Sequence, residues 1–203
     1  MIKPGLYLIT DEHLVAPEDL PELIGQVAPY LSLLQFRAKT LPHDQQVTIA
    51  SALQHICTAA NIPFLVNDDV ALAKACGADG VHLGQSDQSA LMARQQLGDK
   101  AIIGVTCHDS LTLAQTAIEQ SADYVAFGRF FPSKTKAQAK PANIETLTMA
   151  AKMLDVPIVA IGGITTDNGS QLRAAGADIL AVIHDVLGAK NPVAAAKQYQ
   201  SLF

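Results

Sequence analysis

An amide and two cationic side chains end a short apolar segment of this chain, at Gln35, Arg37 and Lys39. The segment at 32–37 has the continuous Leu-rich character of a buried β-strand. Alternate residues of a strand point to one side, so the three side chains share one side of the strand end. Cations in that arrangement are suited to binding phosphate oxygens, although a solvated rim is the structural alternative.

Carboxylates follow the next two apolar segments. Asn67 ends the segment at 63–67 and is followed by Asp68, and Asp87 follows the segment at 80–84. One or two carboxylates, completed by water and substrate phosphates, are the usual protein ligands of Mg²⁺. The pair Asp68 and Asp87 therefore predicts a magnesium site. Each could instead cap the helix that follows it, since Asp is a common N-cap residue.

A second group of phosphate-binding residue types lies further along the chain. Residues 133–136 are Ser, Lys, Thr and Lys, and a Gly162-Gly163 pair ends a later apolar segment. Hydroxyl groups, cations and the backbone of glycine turns all bind phosphate. Two separated anion-binding regions imply either two phosphorylated substrates or one bisphosphate.

Short apolar segments alternate regularly with longer segments of helical spacing. The predicted strands cover 5–10, 32–37, 63–67, 80–84, 101–106, 123–128, 157–162 and 179–183. The predicted helices cover 44–60, 69–76, 88–97, 110–121, 144–154, 167–175 and 192–202. Continuous apolar strands are typical of parallel sheets that are covered on both faces.

This alternation predicts an α/β fold, a single-domain (β/α)₈ TIM barrel over residues 1–203, with its active site at the C-terminal ends of the strands. The joints CGADGV, QSADYV and AGADIL, which begin at residues 76, 120 and 175, indicate one repeated unit. We expect a left-handed glycine cap at such joints. An open doubly wound sheet is the alternative, but LYLITDEH at 6–13 has no glycine-rich fingerprint.

Composition argues against several other classes of protein. The formal net charge is −5 and only 5% of residues are aromatic, so nucleic acid is not an expected partner. Cys57, Cys76 and Cys107 lack zinc-ligand spacing and are expected to be buried apolar residues, and His82 a hydrogen-bonded core histidine. No stretch reaches about 18 uninterrupted apolar residues, so we expect no membrane association and a cytoplasmic location.

In combination, these motifs resemble the thiamine phosphate synthase (thiamine-phosphate pyrophosphorylase) family along the whole chain. The segments that carry the resemblance are LLQFRAK at 33–39, FLVNDD at 64–69, GADGVHLGQSD at 77–87, IIGVT at 102–106, DYVAFGRFFPSKTK at 123–136, VAIGGIT at 159–165 and AGADILAVI at 175–183. The amide–Arg–Lys triplet, the Asn-Asp pair, the HLGQxD turn and the FPSxTK loop are specific when they occur together.

The resemblance implies an enzyme that joins a hydroxymethylpyrimidine diphosphate to a thiazole ethyl phosphate, plain or carboxylated, and releases diphosphate. It implies that the pyrimidine substrate is bound by Gln35, Arg37, Lys39, Asn67, Thr106 and Lys136. It implies that Asp68 and Asp87 bind Mg²⁺ on the diphosphate. It assigns the thiazole phosphate to Ser133, Lys134, Thr135, Gly163, Ile183 and His184.

This chemistry requires no protein nucleophile, so we name no general base. Arg37, Lys39 and Lys136 are the expected catalytic residues, because together with Mg²⁺ they would stabilise the departing diphosphate. The barrel would hold both substrates in line and exclude water. The expected partners are therefore small molecules, and a homodimer is compatible with the sequence.

The sequence departs from the family at three positions. His184 stands where the family more often has Ser, Asp69 stands where a basic residue is frequent and adds a third carboxylate, and Ser133 replaces Thr. A thiazole tautomerase of related fold is the nearest alternative, but its characteristic His is replaced by Arg129. A non-catalytic thiamine-precursor binding barrel would gain little from metal carboxylates. A sugar-phosphate isomerase would need a Glu or Lys base at a strand end.

Overall fold

The computed structural model describes residues 2–132 and 140–203. Within that part of the chain the strands are β1 (Gly5–Ile9), β2 (Leu31–Phe36), β3 (Phe64–Asn67), β4 (Gly80–Leu83), β5 (Ile102–His108), β6 (Tyr124–Gly128), β7 (Ile158–Ile161) and β8 (Ile179–Val182). The helices there are α1 (Leu20–Val27), α2 (His43–Ala60), α3 (Val70–Cys76), α4 (Ala90–Leu97), α5 (Leu111–Glu119), α6 (Ile144–Met153), α7 (Thr166–Ala174), α8 (His184–Leu187) and α9 (Pro192–Gln198). Short 3₁₀ turns cover Ala28–Tyr30 and Tyr199–Leu202.

The strands close into one parallel barrel in chain order. In β1, Leu8 lies opposite Leu34 of β2 on one side and opposite Val182 of β8 on the other. Pairing between the first and last strands closes the sheet, so the predicted (β/α)₈ TIM barrel is confirmed. The same pairing excludes the open doubly wound sheet.

Two apolar layers follow from the alternation of side chains along each strand. Leu6 and Leu8 of β1 pack in the layer between the strands and the helices. Tyr7 and Ile9 point the other way, into the barrel interior. The interior layer is formed by Ile2, Tyr7, Ile9, Leu33, Leu65, Tyr124, Ala126, Val159, Ile179 and Ala181. Two tyrosines therefore place polar atoms in this otherwise aliphatic layer.

The aspartate of the repeated helix-to-strand joint has a structural role. Gly77 adopts the predicted left-handed conformation at the end of α3, with φ of +69°, and Ser121 adopts it in the second joint, with φ of +70°. The aspartate of each joint then accepts a hydrogen bond from the backbone N–H of the preceding strand. These bonds run from Phe64 to Asp79 (2.8 Å), from Ile103 to Asp123 (2.7 Å) and from Ile158 to Asp178 (2.8 Å).

Sequence reasoning missed two helices, α1 and α8. In α1, Pro21 lies in the first turn, where a proline is tolerated because its missing N–H would have no helical partner. Leu20, Ile24 and Val27 form its buried face. With four residues, α8 is too short to give a periodic signal. No helix within the described ranges is long and apolar enough to cross a membrane.

Candidate active site

A cavity of about 480 Å³ opens at the C-terminal ends of the strands. Seven of the predicted site residues line it, namely Gln35, Arg37, Asn67, Thr106, Gly163, Ile183 and His184. A larger hollow of about 770 Å³ lies at the opposite end of the barrel, near Gly5 and Ser32, and none of the predicted site residues lines it. The cavity at the C-terminal ends is therefore the candidate active site, as expected for a TIM barrel.

Four predicted residues, Ser133, Lys134, Thr135 and Lys136, lie outside the described residues. The three others, Lys39, Asp68 and Asp87, form a cluster beyond the residues that line the cavity. The Lys39 ammonium donates a hydrogen bond of 2.6 Å to Oδ2 of Asp68. Asp68 adopts φ of +62°, and its N–H donates to the backbone carbonyl of His82 at 2.8 Å.

Neighbouring residues, and not the predicted metal ligands Asp68 and Asp87, cap the two helices that follow. Asp69 caps α3, because its Oδ1 accepts a hydrogen bond of 2.9 Å from the N–H of Leu72. Ser89 caps α4. The capping alternatives for Asp68 and Asp87 are therefore wrong. The carboxylate of Asp69, the third one in this segment, is already bonded to the first turn of α3. This role as a helix cap explains why an acidic residue is tolerated at position 69.

The carboxyl groups of Asp68 and Asp87 interact directly, and their pKa values move in opposite directions. Burial raises the pKa of Asp68, but the bond from Lys39 and the contact with Asp87 outweigh burial and lower it overall. The pKa of Asp87 is raised, first by burial and then by its hydrogen bond with Asp68 and the negative charge there. The Gly84 N–H, 2.7 Å from Oδ2 of Asp87, only partly offsets this. The charged form of Asp87, unlike that of Asp68, is therefore disfavoured.

These two carboxylates fit a magnesium ion better than a zinc ion. Zinc sites use three or four nitrogen and sulfur ligands, whereas Mg²⁺ is held by one or two carboxylates with water and phosphate. Within residues 2–132 and 140–203, no group of three or more His, Cys, Asp and Glu side chains is placed to hold a metal. Asp68 and Asp87 are thus the residues that could hold Mg²⁺ together with a bound diphosphate.

Three residues directly after β1, which sequence reasoning missed, hold the cationic segment after β2. Thr10 accepts a hydrogen bond of 2.8 Å from the Arg37 N–H through its Oγ1. Asp11 places Oδ2 at 3.8 Å from Nη1 of Arg37, and Glu12 accepts the Lys39 N–H at 2.8 Å. Burial raises the pKa of Glu12, but the backbone N–H bonds outweigh burial and lower it. Their position at a strand end was the available signal.

Glycines shape the opposite side of the cavity. Gly163, at φ of +63°, passes so close to the preceding loop that a Cβ there would lie 2.3 Å from the Pro132 carbonyl oxygen. Asn168 fixes this turn by donating a hydrogen bond of 3.0 Å to the Gly163 carbonyl. His184 begins α8, and its ring packs so closely against Gly188 that a Cβ there would lie 2.4 Å from Nδ1.

A chain of hydrogen bonds crosses the barrel interior and connects two of the predicted site residues. Gln35 donates from Nε2 to the hydroxyl of Tyr7, which lies 3.0 Å from the hydroxyl of Tyr124. That hydroxyl lies 2.7 Å from Nδ1 of His82, and Nε2 of His82 lies 2.8 Å from Oγ1 of Thr106. We call these five residues the buried polar chain. The prediction of a hydrogen-bonded core histidine is confirmed, but His82 also lines the cavity.

The tyrosines of the buried polar chain are uncharged. Burial raises the pKa of Tyr7 and of Tyr124 above the ordinary value, so both hydroxyls keep their protons. Gly104 leaves the space that the Tyr124 ring fills, because a Cβ at Gly104 would lie 1.9 Å from that ring. The same ring stacks on His82 with their centroids 5.6 Å apart. A glycine inside an apolar strand was the signal for this packing.

Comparisons with known proteins agree with the geometry. A family model described as thiamine monophosphate synthase matches residues 6–186. The thiamine-phosphate synthase of Azoarcus sp. (strain BH72) is 46% identical over 203 residues, which cover 98% of this chain and 97% of the relative. The thiamine-phosphate synthase of Methylococcus capsulatus is 44% identical over 199 residues, which cover 98% and 89%.

A solved structure supports the same assignment. The thiamine phosphate pyrophosphorylase from Pyrococcus furiosus superimposes with a TM-score of 0.89 at 32% identity, covering 99% of this chain and 96% of that protein. The sequence match and the fold extend over nearly the full length of both proteins. This chain therefore belongs to the thiamine monophosphate synthase family.

Proposed function

We propose that this protein is a thiamine phosphate synthase, which joins a hydroxymethylpyrimidine diphosphate to a thiazole ethyl phosphate and releases diphosphate. The observation that carries the proposal is one cavity with two kinds of lining. Gln35, Arg37 and Asn67 lie at the ends of strands β2 and β3, beside the carboxylate pair. Gly163 and His184 line the same cavity after β7 and β8, where TIM barrels often bind phosphate.

Cations beside the leaving group provide the main catalytic effect in this proposal. Arg37 lines the cavity, and Lys39 is held next to the carboxylate pair. Their positive charge stabilises the negative charge that develops on the departing diphosphate, and removal of one such group typically lowers the rate by about 10²–10³-fold. By its resemblance to the family, Lys136 has the same role, although it lies outside the described residues.

Asp68 and Asp87 would hold the magnesium ion. When bound, Mg²⁺ supplies positive charge that neutralises the diphosphate oxygens and favours their departure. Lys39 pairs with Asp68, at 2.6 Å. Ligation of Asp68 to a divalent cation would compete with that pair and make the Lys39 ammonium available to the diphosphate.

The reaction moves two electron pairs and no proton. The bond between the pyrimidinylmethyl carbon and the diphosphate oxygen breaks, and its electron pair leaves with the oxygen. The lone pair of the thiazole nitrogen then forms the new carbon–nitrogen bond. No general base is required, so the remaining task of the cavity is to exclude water from the pyrimidinylmethyl cation. Ile9, Ile161 and Ile183 provide apolar lining for that task.

The direct test is diphosphate release by the purified protein with both phosphorylated substrates, in Mg²⁺ and in chelator. We expect release only when both substrates and Mg²⁺ are present, and at least a 100-fold loss in Asp87→Ala. Asp155→Ala is the matched control, because Asp155 is an exposed carboxylate that precedes β7 at the opposite end of the barrel. Release from one substrate alone, or full activity in chelator, would overturn the proposal.

A further inference from the structure

The buried polar chain includes two residues that do not line the cavity. Gln35, His82 and Thr106 line the cavity, whereas Tyr7 and Tyr124 do not and are almost completely buried, at 1% and 0% exposure. Its two ends lie on β2 and β5, which are separated around the barrel by β3 and β4. The tyrosines therefore connect two cavity residues through the interior of the barrel.

Burial makes the direction of these hydrogen bonds matter. A tyrosine hydroxyl has one proton, and a buried proton without an acceptor costs about 1–3 kcal/mol. Among the described residues, the Tyr7 hydroxyl bonds only to Gln35 and Tyr124. Because Gln35 donates to Tyr7, the Tyr7 proton must go to Tyr124. The Tyr124 proton must then go to Nδ1 of His82.

The same order of donors along the chain determines which hydrogen-bonding group Thr106 presents to the cavity. With Nδ1 of His82 accepting, Nε2 carries the proton and donates to Oγ1 of Thr106. The hydroxyl proton of Thr106 then remains available for a bound molecule. At the other end, Nε2 of Gln35 donates one of its two N–H groups to Tyr7, which fixes the orientation of the amide and of its carbonyl acceptor. The chain thus fixes the orientation of two polar groups that line the cavity.

Reversal of the Gln35 amide would reverse every bond of the chain. Its oxygen would accept from Tyr7, Tyr7 would accept from Tyr124, and Thr106 would donate to His82. With a neutral His82, Thr106 would then be left with an acceptor only. The orientation of one end therefore depends on that of the other, because each hydroxyl and the neutral imidazole between them donate once and accept once.

We propose that Tyr7, Tyr124 and His82 are positioning residues that couple the Gln35 amide to the Thr106 hydroxyl, so that the two groups meet the pyrimidine ring in one fixed arrangement of donors and acceptors. An aminopyrimidine has the complementary groups, an amino donor and ring-nitrogen acceptors. The inference rests on the proposed function for the identity of the ring. It assigns recognition of that ring, and not of the thiazole phosphate, to the buried polar chain.

The test is to cut the chain by removing one hydroxyl while keeping the ring. Calorimetry measures the dissociation constants of the pyrimidine diphosphate with Mg²⁺ and of the thiazole phosphate, for the unaltered protein and for Tyr124→Phe. We expect about tenfold weaker binding of the pyrimidine diphosphate and less than a twofold change for the thiazole phosphate. Tyr7→Phe is the second variant, should Tyr124→Phe fold poorly, and it has the same expected result.

Two controls separate positioning from general damage. Tyr199→Phe removes another fully buried hydroxyl, which bonds to Asp185 outside the chain, and should leave pyrimidine diphosphate binding within twofold. In a Thr106→Val background, Tyr124→Phe should weaken binding by clearly less than tenfold, because one of the two ends that it uncouples is already removed. Equal weakening for both ligands, or a full tenfold effect in the Thr106→Val background, would overturn the inference.

Turnover separates this inference from the proposed function. A protein that releases no diphosphate but shows selective weakening in Tyr124→Phe would refute the proposed function and support the polar chain. A protein that releases diphosphate from both substrates, while the tyrosine variants bind the pyrimidine diphosphate normally, would refute the polar chain alone.

Discussion

Replacement of Asp87 by Asn should make the protein slightly more stable and much less active. At neutral pH the ionised Asp87 is disfavoured by burial and by the Asp68 carboxylate, which together raise its pKa. An asparagine oxygen can still accept the Gly84 N–H, which lies 2.7 Å from Oδ2 of Asp87, and its amide can donate to Asp68. The substitution therefore removes the repulsion and keeps the local hydrogen bonds.

The magnitude of this stabilisation is small because Asp87 is only partly buried, so that water screens its charge. Exposed charge interactions contribute about 0.2–1 kcal/mol, so we expect about 0.5 kcal/mol at neutral pH. For a chain of this length, that energy corresponds to a melting temperature about 1–2 °C higher. The pKa of Asp87 is raised in the folded state. Its carboxyl group therefore makes its full contribution to stability below pH 3.8, the ordinary pKa of an aspartate, and this contribution is lost as the pH rises. The difference between the two proteins should therefore vanish below about pH 3.8.

Thermal unfolding in chelator at pH 7.5 and at pH 3.5, followed by turnover with Mg²⁺, checks this prediction. Asp87→Asn should melt higher at pH 7.5 and equally at pH 3.5, and should release diphosphate at least 100-fold more slowly. The variant should also need at least tenfold more Mg²⁺ for half-maximal activity, because one of two ligands is lost. A variant that melts lower than the unaltered protein at pH 7.5, or that keeps its Mg²⁺ requirement, would refute the reasoning.

Three other predictions use different parts of the structure. Gly163→Ala places a Cβ 2.3 Å from the Pro132 carbonyl at φ of +63°, so we expect a loss of about 1–3 kcal/mol in unfolding free energy and at least tenfold weaker binding of the thiazole phosphate by calorimetry. Lys39→Gln should lower turnover by about 10²–10³-fold, while denaturant titration shows less than about 1 kcal/mol change, since its ion pair is exposed. Burial raises the pKa of Cys57 and of Cys107 to about 12, so neither thiol should be alkylated in the native protein at pH 8. Mass spectrometry measures the alkylation, and rapid labelling of either thiol would contradict its burial.

The barrel was predictable because its signal is repeated along the chain. Continuous apolar strands and the aspartate joints recur, and each repeat supports the others. By contrast, α1 lies between β1 and β2 in a segment that contains Pro17, Pro21 and Pro29, and prolines argue against a helix. The spacing of its buried residues is nevertheless helical. Ile24 and Val27 pack this helix into the apolar layer between the strands and the helices.

The lining of the cavity was predictable where the residue type is unusual for a strand end, as at Arg37 and Asn67. The buried polar chain was not, because Tyr7 and Tyr124 look like ordinary apolar strand residues and are 117 positions apart. Their contact depends on the register of two strands across a closed barrel. Likewise, the choice of Asp69 over Asp68 as helix cap depends on the positive φ of Asp68, which composition does not encode.

In the proposed function one cavity binds both substrates and joins them, and product analysis tests this most directly. The purified protein is incubated with the pyrimidine diphosphate, the thiazole phosphate and Mg²⁺, and the products are quantified by mass spectrometry and phosphorus NMR. We expect thiamine phosphate and diphosphate in equal amounts, with both substrates consumed together. A rearranged thiazole phosphate, formed while the pyrimidine diphosphate remains intact, would contradict the account.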